Sequence, residues 1–248
     1  MTLRLGFWDI EMAPAVVHSW GLFQQDHSIN QVLEQPYMLS YAWRWAGEKK
    51  KIFKSTYHDG KEAMVQSLWD NMNEADAIVS WNGAGFDTKH ANREFLEAGM
   101  TPPSPTKEID LMVAAKSQFR LLSNKLDYVA QLLGIGQKKS TGGHELWIAC
   151  MNGDPKAWAI MKKYNIQDVD LLVDIYDALL PWIRNHPNLN LFDPDVEGCP
   201  SCGSLEYEKR GLAHTGTSSY QRYRCLNPDC GKWFKSGKSI ARADFRQL

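Results

Sequence analysis

The 248-residue chain has no apolar run approaching the roughly 20 residues that span a bilayer, which leaves no candidate membrane helix. Its opening residues, Met1-Thr2-Leu3-Arg4, lack the charged and then apolar pattern of a secretion signal, so a soluble, cytoplasmic protein is expected. Cysteine is scarce and unevenly placed: of five, four lie between residues 199 and 230. That clustering, without a signal, argues against a secreted disulfide framework and for metal binding. The fifth, Cys150, follows Leu146-Trp147-Ile148-Ala149 and reads as a small buried hydrophobe. Internal repeats and low-complexity segments are absent, and no one sign of charge dominates, the formal net charge being −1.

What is present is an apolar fraction of 44%, enough to bury a core, in a length that suits one α/β domain with a small appendage. The charge, neutral in sum, is divided. Residues 199–248 carry nine Lys/Arg against four Asp/Glu, about +5, leaving about −6 for residues 1–198. An acidic body with a basic tail can gather metal-binding carboxylates in one part and meet phosphates with the other, although ordinary surface variation gives such splits too.

Leu3 to Ile10 reads as a strand. Met38–Ala46 and Lys51–Tyr57 flank the turn Gly47-Glu48-Lys49 as a hairpin. Ala63, Met64, Leu68 and Met72 have helical spacing within Lys61–Met72. Ala77–Trp81 is a buried strand, Thr88–Ala98 a helix, and Thr101-Pro102-Pro103-Ser104-Pro105 an extended connector. A fifth strand is expected near Ile109–Leu111, then helices over Leu111–Phe119 and Lys125–Leu133 and a loop over residues 134–143. Asp154-Pro155 starts a long helix, with an N-cap acid and a first-turn proline, running to about Ile183. The expected fold is α/β: a five-stranded mixed sheet flanked by helices over residues 1–184, a linker over 185–197, and a small unit over 198–248.

Three segments carry acids in suggestive places. In Phe7-Trp8-Asp9-Ile10-Glu11, the strand period of two puts Asp9 and Glu11 on one face at the end of an apolar strand. Two carboxylates so placed repel each other unless a cation neutralises them, and hard ions such as Mg²⁺ or Mn²⁺ suit oxygen ligands. Two solvated acids past a strand end are the alternative. In Trp81-Asn82-Gly83-Ala84-Gly85-Phe86-Asp87, glycines allow a tight turn and close substrate approach, and Asp87 is either a ligand or a plain N-cap. In Tyr164-Asn165-Ile166-Gln167-Asp168, Tyr164 and Asp168 share one helix face, a site or merely a half-buried tyrosine on an acid-rich helix.

Taken together, Asp-x-Glu, Asn-x-x-x-Phe-Asp and Tyr-x-x-x-Asp follow in the order and context of the DEDD (DnaQ-like) 3′–5′ exonucleases, and the chain resembles their tyrosine branch (DEDDy) over roughly residues 3–184. The spacing from Asn82 to Asp87 is similar to the proofreading domains of B-family DNA polymerases, with looser likeness at Ile109-Asp110-Leu111 and over Leu126–Gly134. The resemblance implies a ribonuclease H-like fold and a two-metal-ion hydrolysis. It implies that Asp9, Glu11 and Asp168 hold one Mg²⁺ or Mn²⁺, and that Asp9 bridges to a second that Asp87 helps to hold. Tyr164 would orient the attacking water, its ordinary pKa of about 10 making it a poor general base. A histidine stands at that step in the sister branch, and none lies on this helix near Asp168.

Other motifs fail. His144-Glu145 starts like a zinc-protease helix, but Ile148 stands where its second histidine is needed. Gly134-Ile135-Gly136 lacks the third glycine and preceding strand of a dinucleotide site. Lys138 and Lys139 are candidate phosphate contacts or a solvated loop, and Asp110 reads as a helix cap. Asn82 and Phe86 are candidates for a pocket holding the 3′-terminal nucleotide, a core phenylalanine being the alternative.

Cys199-Pro200-Ser201-Cys202 and Cys225-Leu226-Asn227-Pro228-Asp229-Cys230 are separated by 22 residues, and a glycine follows each pair. Four thiolates at this spacing predict a zinc ribbon with one structural Zn²⁺ that supplies much of its folding free energy. Arg222, Arg224 and Trp233, with Tyr220, Tyr223, Lys232, Phe234 and Lys235, suit contact with nucleic acid, covering of the ribbon's own core, or docking of a protein partner. The expected function is therefore a metal-dependent 3′–5′ exonuclease acting on DNA, preferably single-stranded. A 3′–5′ exoribonuclease of the same fold and a non-catalytic nucleic-acid-binding module are the competing expectations. All four acids are present, which counts against the last.

Overall fold

Residues 3–23, 25–137, 142–192 and 197–245 are described by a computed structural model. The elements run β1 (Leu5–Met12), β2 (Val16–Val17), β3 (Val32–Glu34), β4 (Met38–Trp45), β5 (Lys51–Ser55), α1 (Lys61–Glu74), β6 (Ala77–Ser80), α2 (Asp87–Glu97), β7 (Lys107–Asp110), α3 (Leu111–Gln118), α4 (Leu126–Leu132), α5 (His144–Met151) and α6 (Pro155–Leu179). The main sheet has the order β5-β4-β1-β6-β7. β4 runs antiparallel to both β1 and β5, while β1, β6 and β7 run parallel. This is the five-stranded mixed sheet that the strand pattern predicts.

Alternation along β1 divides the core. Leu5 and Phe7 face one side and pack with Leu172, Ile175 and Leu179 of α6 and with α3 and α4. Trp8 and Ile10 face the other side and pack with Tyr41, Trp43, Met64 and Leu68. Gly6 lies on this second side under the Trp43 ring, where a Cβ would come within 2.0 Å of a ring carbon, so no other residue fits. Burial of these aromatic and aliphatic side chains, each about 1.5–3 kcal/mol relative to exposure, is the main stabilising term.

Several boundaries differ from those the sequence suggests. β1 continues to Met12, so Asp9 and Glu11 lie within the strand, and the β1–β4 register shifts between Glu11 and Met12. Such a bulge bends a strand and re-aims the side chains beside it. The short β2–β3 pair is too brief to show a periodicity, and α5 is a two-turn helix in a stretch to which the sequence pattern assigns no element. α6 starts as expected, with the Asp154 carboxylate accepting from the Lys156 N–H at 2.8 Å and Pro155 in the first turn. It gives way at Leu180–Trp182 to a 3-10 turn containing Pro181.

The C-terminal unit has β9 (Ser218–Cys225) at its centre, antiparallel to β8 (Tyr207–His214), β10 (Trp233–Lys235) and β11 (Ala241–Arg242). The segment before it is in contact with it: the Leu189 N–H donates to the Pro200 carbonyl at 2.9 Å, and the Asn190 amide both donates to and accepts from the Gly198 main chain at 3.1 Å. The Lys232 ammonium reaches back to the Ile183 carbonyl at the end of α6's 3-10 turn. Among the described residues, no helix is long and apolar enough to cross a membrane.

Candidate metal centres

Because Leu5 and Phe7 point toward α6, the period of two sends Asp9 and Glu11 to the same side. On α6 the buried residues Asn165, Asp168, Leu172, Ile175 and Leu179 recur every three or four positions and make one stripe. That stripe is apolar where it crosses Leu5 and Phe7 and polar where it crosses the end of β1. As a result, carboxylate oxygens of Asp9, Glu11 and Asp168 lie within 4.8 Å of one another. Asp168 is 2% exposed. Like charges at this spacing disfavour joint ionisation, and a divalent cation with hard oxygen ligands reverses that penalty. The donor set fits Mg²⁺ or Mn²⁺.

Asp87 stands outside that trio but against the same strand, accepting from the Ile10 N–H at 3.3 Å. It is the first residue of α2, one place after the N-cap position, which Phe86 occupies. Burial pushes its pKa up to about 7; main-chain N–H groups oppose the rise, and Asp110 and Glu108 add to it. Asp110 behaves as a cap: its carboxylate accepts from the N–H groups of Val113 and Asn82, each at 3.1 Å.

The turn that delivers Asp87 depends on Asn82, whose φ of +68° is the left-handed conformation that asparagine tolerates best among residues with a Cβ. Its carbonyl accepts from the N–H groups of Gly85 and Phe86. Phe86 is 43% exposed and lies edge-on to His90, so it is not a core residue. It lines two adjoining clefts. One, about 450 Å³, is also lined by Asp9, Asn82, Asp87, Asn124 and Lys125; the other, about 620 Å³, by Met12, Pro14, His90, His144 and Trp147. Lys138 and Lys139 lie outside the described residues. Tyr164 is half-buried, one turn before Asp168, with its ring edge-on to Trp147 at 6.0 Å between centroids.

Two residues that the sequence pattern does not single out touch the acids directly. The Asn165 amide donates to Asp9, and the Trp147 indole N–H donates to Glu11 Oε2 at 3.1 Å. Asn165 was visible only as the filler of Tyr-x-x-x-Asp; its place on the buried stripe of α6 is the signal that finds it. Trp147 sits in an apolar stretch, and nothing local distinguishes it from core.

In the C-terminal unit Cys199, Cys202, Cys225 and Cys230 converge, with Sγ atoms 3.8 Å apart for Cys199–Cys230 and 3.6 Å for Cys202–Cys225. A disulfide needs about 2.05 Å, whereas four sulfurs bonded at about 2.3 Å around a tetrahedral zinc stand about 3.8 Å apart. The thiols are reduced and all four fit such an ion. Register places Trp233 opposite Arg224 and Lys235 opposite Arg222, hence on one face. There Trp233, 49% exposed, carries the guanidinium groups of Arg222 and Arg224 at 5.0 and 6.0 Å from its ring centre, and the Lys235 ammonium covers Tyr220 at 3.7 Å. Tyr207, Tyr223 and Phe234 pack together as the unit's own small aromatic cluster.

Comparison with known proteins matches residues 28–180 to the family model of the RNase H superfamily. Among curated proteins, nothing matches. Among solved structures, the chain is similar to the family B DNA polymerase of the hyperthermophilic archaeon Pyrobaculum calidifontis, with a TM-score of 0.54 at 17% identity. That likeness covers 72% of this chain and 25% of the polymerase, so this chain corresponds to about a quarter of it, and at this identity it is a likeness of fold.

Proposed function

The chain belongs to the RNase H superfamily, and from that premise we propose that it is a 3′–5′ exonuclease of the DEDDy branch, hydrolysing phosphodiester bonds at the 3′ ends of single-stranded DNA. The observation that carries this reading is the convergence within 4.8 Å of Asp9, Glu11 and Asp168, the first and last of which are 159 residues apart in sequence. In the proposal these three hold one Mg²⁺ or Mn²⁺, and Asp9 and Asp87 serve a second. Bound ions supply Lewis acidity, which activates water and stabilises the leaving 3′ oxygen.

The chain's own residues do the rest. Tyr164 orients the attacking water with its hydroxyl. Asn82 and Phe86, beside Asp9 and Asp87 in the cleft, hold the terminal nucleotide, the exposed Phe86 ring being available to stack on a base. Lys139 offers a cation to the substrate phosphates. Around Cys199, Cys202, Cys225 and Cys230, one structural zinc holds the ribbon, whose Arg222–Arg224–Trp233 face binds the strand electrostatically and by stacking.

Matched DNA and RNA oligonucleotides incubated with Mg²⁺ or Mn²⁺, with a chelator control, test the proposal. Metal-dependent shortening of the DNA strand supports it. Shortening of RNA alone would replace it with the exoribonuclease of the same fold, and intact strands with bound nucleic acid would leave a binding module.

A further inference from the structure

Asn165 is fully buried, with 0% of its surface exposed. Its side-chain amide joins three elements: Nδ2 donates to Asp9 Oδ2 at 2.8 Å and to the Asp9 carbonyl at 3.2 Å, and Oδ1 accepts from Ser40 Oγ on β4 at 3.2 Å. An asparagine amide has two hydrogens and one acceptor oxygen. Turned over, its oxygen would face the carboxylate and carbonyl of Asp9, oxygen against oxygen, and its nitrogen would lose both acceptors. The acceptor oxygens of Asp9 therefore select this orientation, and the Ser40 hydroxyl, opposite Glu11 in the β1–β4 register, donates to the amide oxygen and holds Asn165 in place.

Trp147 treats the other strand acid in the same way. An indole N–H is a donor only, and it points at Glu11 Oε2 while the ring meets the Tyr164 phenol edge-on. Both donors are neutral, so they orient the carboxylates without cancelling their charge; a lysine or arginine in either place would compete with a bound cation. We infer that Asn165 and Trp147 are positioning residues that fix the Asp9 and Glu11 carboxylates for a divalent cation, with Ser40 acting through Asn165. This rests on the cation site proposed above. Neutral hydrogen-bond partners of ligand groups commonly set metal affinity by about 10–100-fold.

The test is calorimetric titration of Mn²⁺ into the full chain, purified without added Mg²⁺ or Mn²⁺, for wild type, Asn165→Leu, Ser40→Ala, Trp147→Phe and Trp147→His, with thermal melting of each in parallel. The expected result is Mn²⁺ binding weakened about 10–100-fold in Asn165→Leu and Trp147→Phe, a smaller loss in Ser40→Ala, and partial recovery in Trp147→His, which restores a ring N–H. Trp147→Phe keeps the ring and should melt close to wild type, which separates positioning from packing. If Asn165→Leu fails to fold, Trp147→Phe and Ser40→Ala decide. Folded variants with wild-type Mn²⁺ affinity overturn the positioning roles alone; wild type that takes up no Mn²⁺ overturns the cation site and this inference with it.

Discussion

The Ile10 main-chain N–H donates to the Asp87 carboxylate at 3.3 Å, which fastens the first turn of α2 to the strand residue lying between Asp9 and Glu11. Ile10 points its side chain into the opposite core, so its backbone is free to serve as the strut while its neighbours present their acids. A carboxylate that would otherwise be an ordinary helix-start residue is thereby held beside the trio.

Loss of any one acid of the trio should abolish strand shortening. Asp9→Ala and Asp168→Asn are each expected to reduce kcat by on the order of 10³-fold or more, given that cation-mediated stabilisation is worth several kcal/mol and each 1.36 kcal/mol is tenfold. Single-turnover degradation of labelled single-stranded DNA measures this. Asp87→Asn, which keeps an acceptor for Ile10, should cost less than either.

Zinc should be found at one ion per chain after purification, by elemental analysis. Structural zinc sites contribute on the order of 10 kcal/mol to folding, so Cys225→Ser is expected to strip hydrogen-exchange protection from β8, β9 and β10. Retention of that protection without metal would contradict a structural role.

The exposed ribbon face should matter for binding rather than for the chemical step. Trp233→Ala is expected to weaken single-stranded DNA binding by about 1–3 kcal/mol, the usual worth of one stacked base. Arg222→Ala and Arg224→Ala should each lower the salt dependence of log K by about 0.7 per lost phosphate contact. Fluorescence anisotropy over a salt series reads both, and kcat at saturating substrate should stay near wild type.

Glu94, buried on α2, ties that helix to β4: its carboxylate accepts from the Met38 N–H at 2.8 Å and pairs with Lys61 and Arg93 at 2.9 and 3.1 Å. Burial would raise its pKa, but Lys61, the Met38 N–H and Arg93 together outweigh it and hold the group below its ordinary value. A depressed carboxylate stabilises the fold above its unfolded pKa of about 4.3 and loses that contribution as pH falls through the folded value. Glu94→Ala should therefore cost about 1.5–3 kcal/mol at pH 7, the range for hydrogen bonds to a charged group. The gap from wild type should narrow below about pH 4. Urea denaturation at a series of pH values checks it; a gap independent of pH would contradict the ion pairs' part.

Much of the fold was legible because its signals are local. Alternation marked β1 and the β4–β5 hairpin, and Asp154-Pro155 marked the start of α6. The strand alternation also put Asp9 and Glu11 together, and helical spacing put Tyr164 on the face of Asp168. What stayed hidden depends on pairing across long distances. The Ile10 bond moves Asp87 from the N-cap reading to the edge of the acid cluster, and the exposure of Phe86 follows from the left-handed turn at Asn82. The roles of Asn165 and Trp147 exist only once α5 and α6 are packed on β1, and the bulge after Glu11 requires knowing β4's register.

The most direct test of the account is a crystal of the full chain soaked in Mn²⁺, with anomalous diffraction collected at the manganese edge. Anomalous density among the carboxylates of Asp9, Glu11 and Asp168 is the predicted result. Well-ordered carboxylates with no anomalous density between them, in crystals that carry manganese elsewhere, would contradict it.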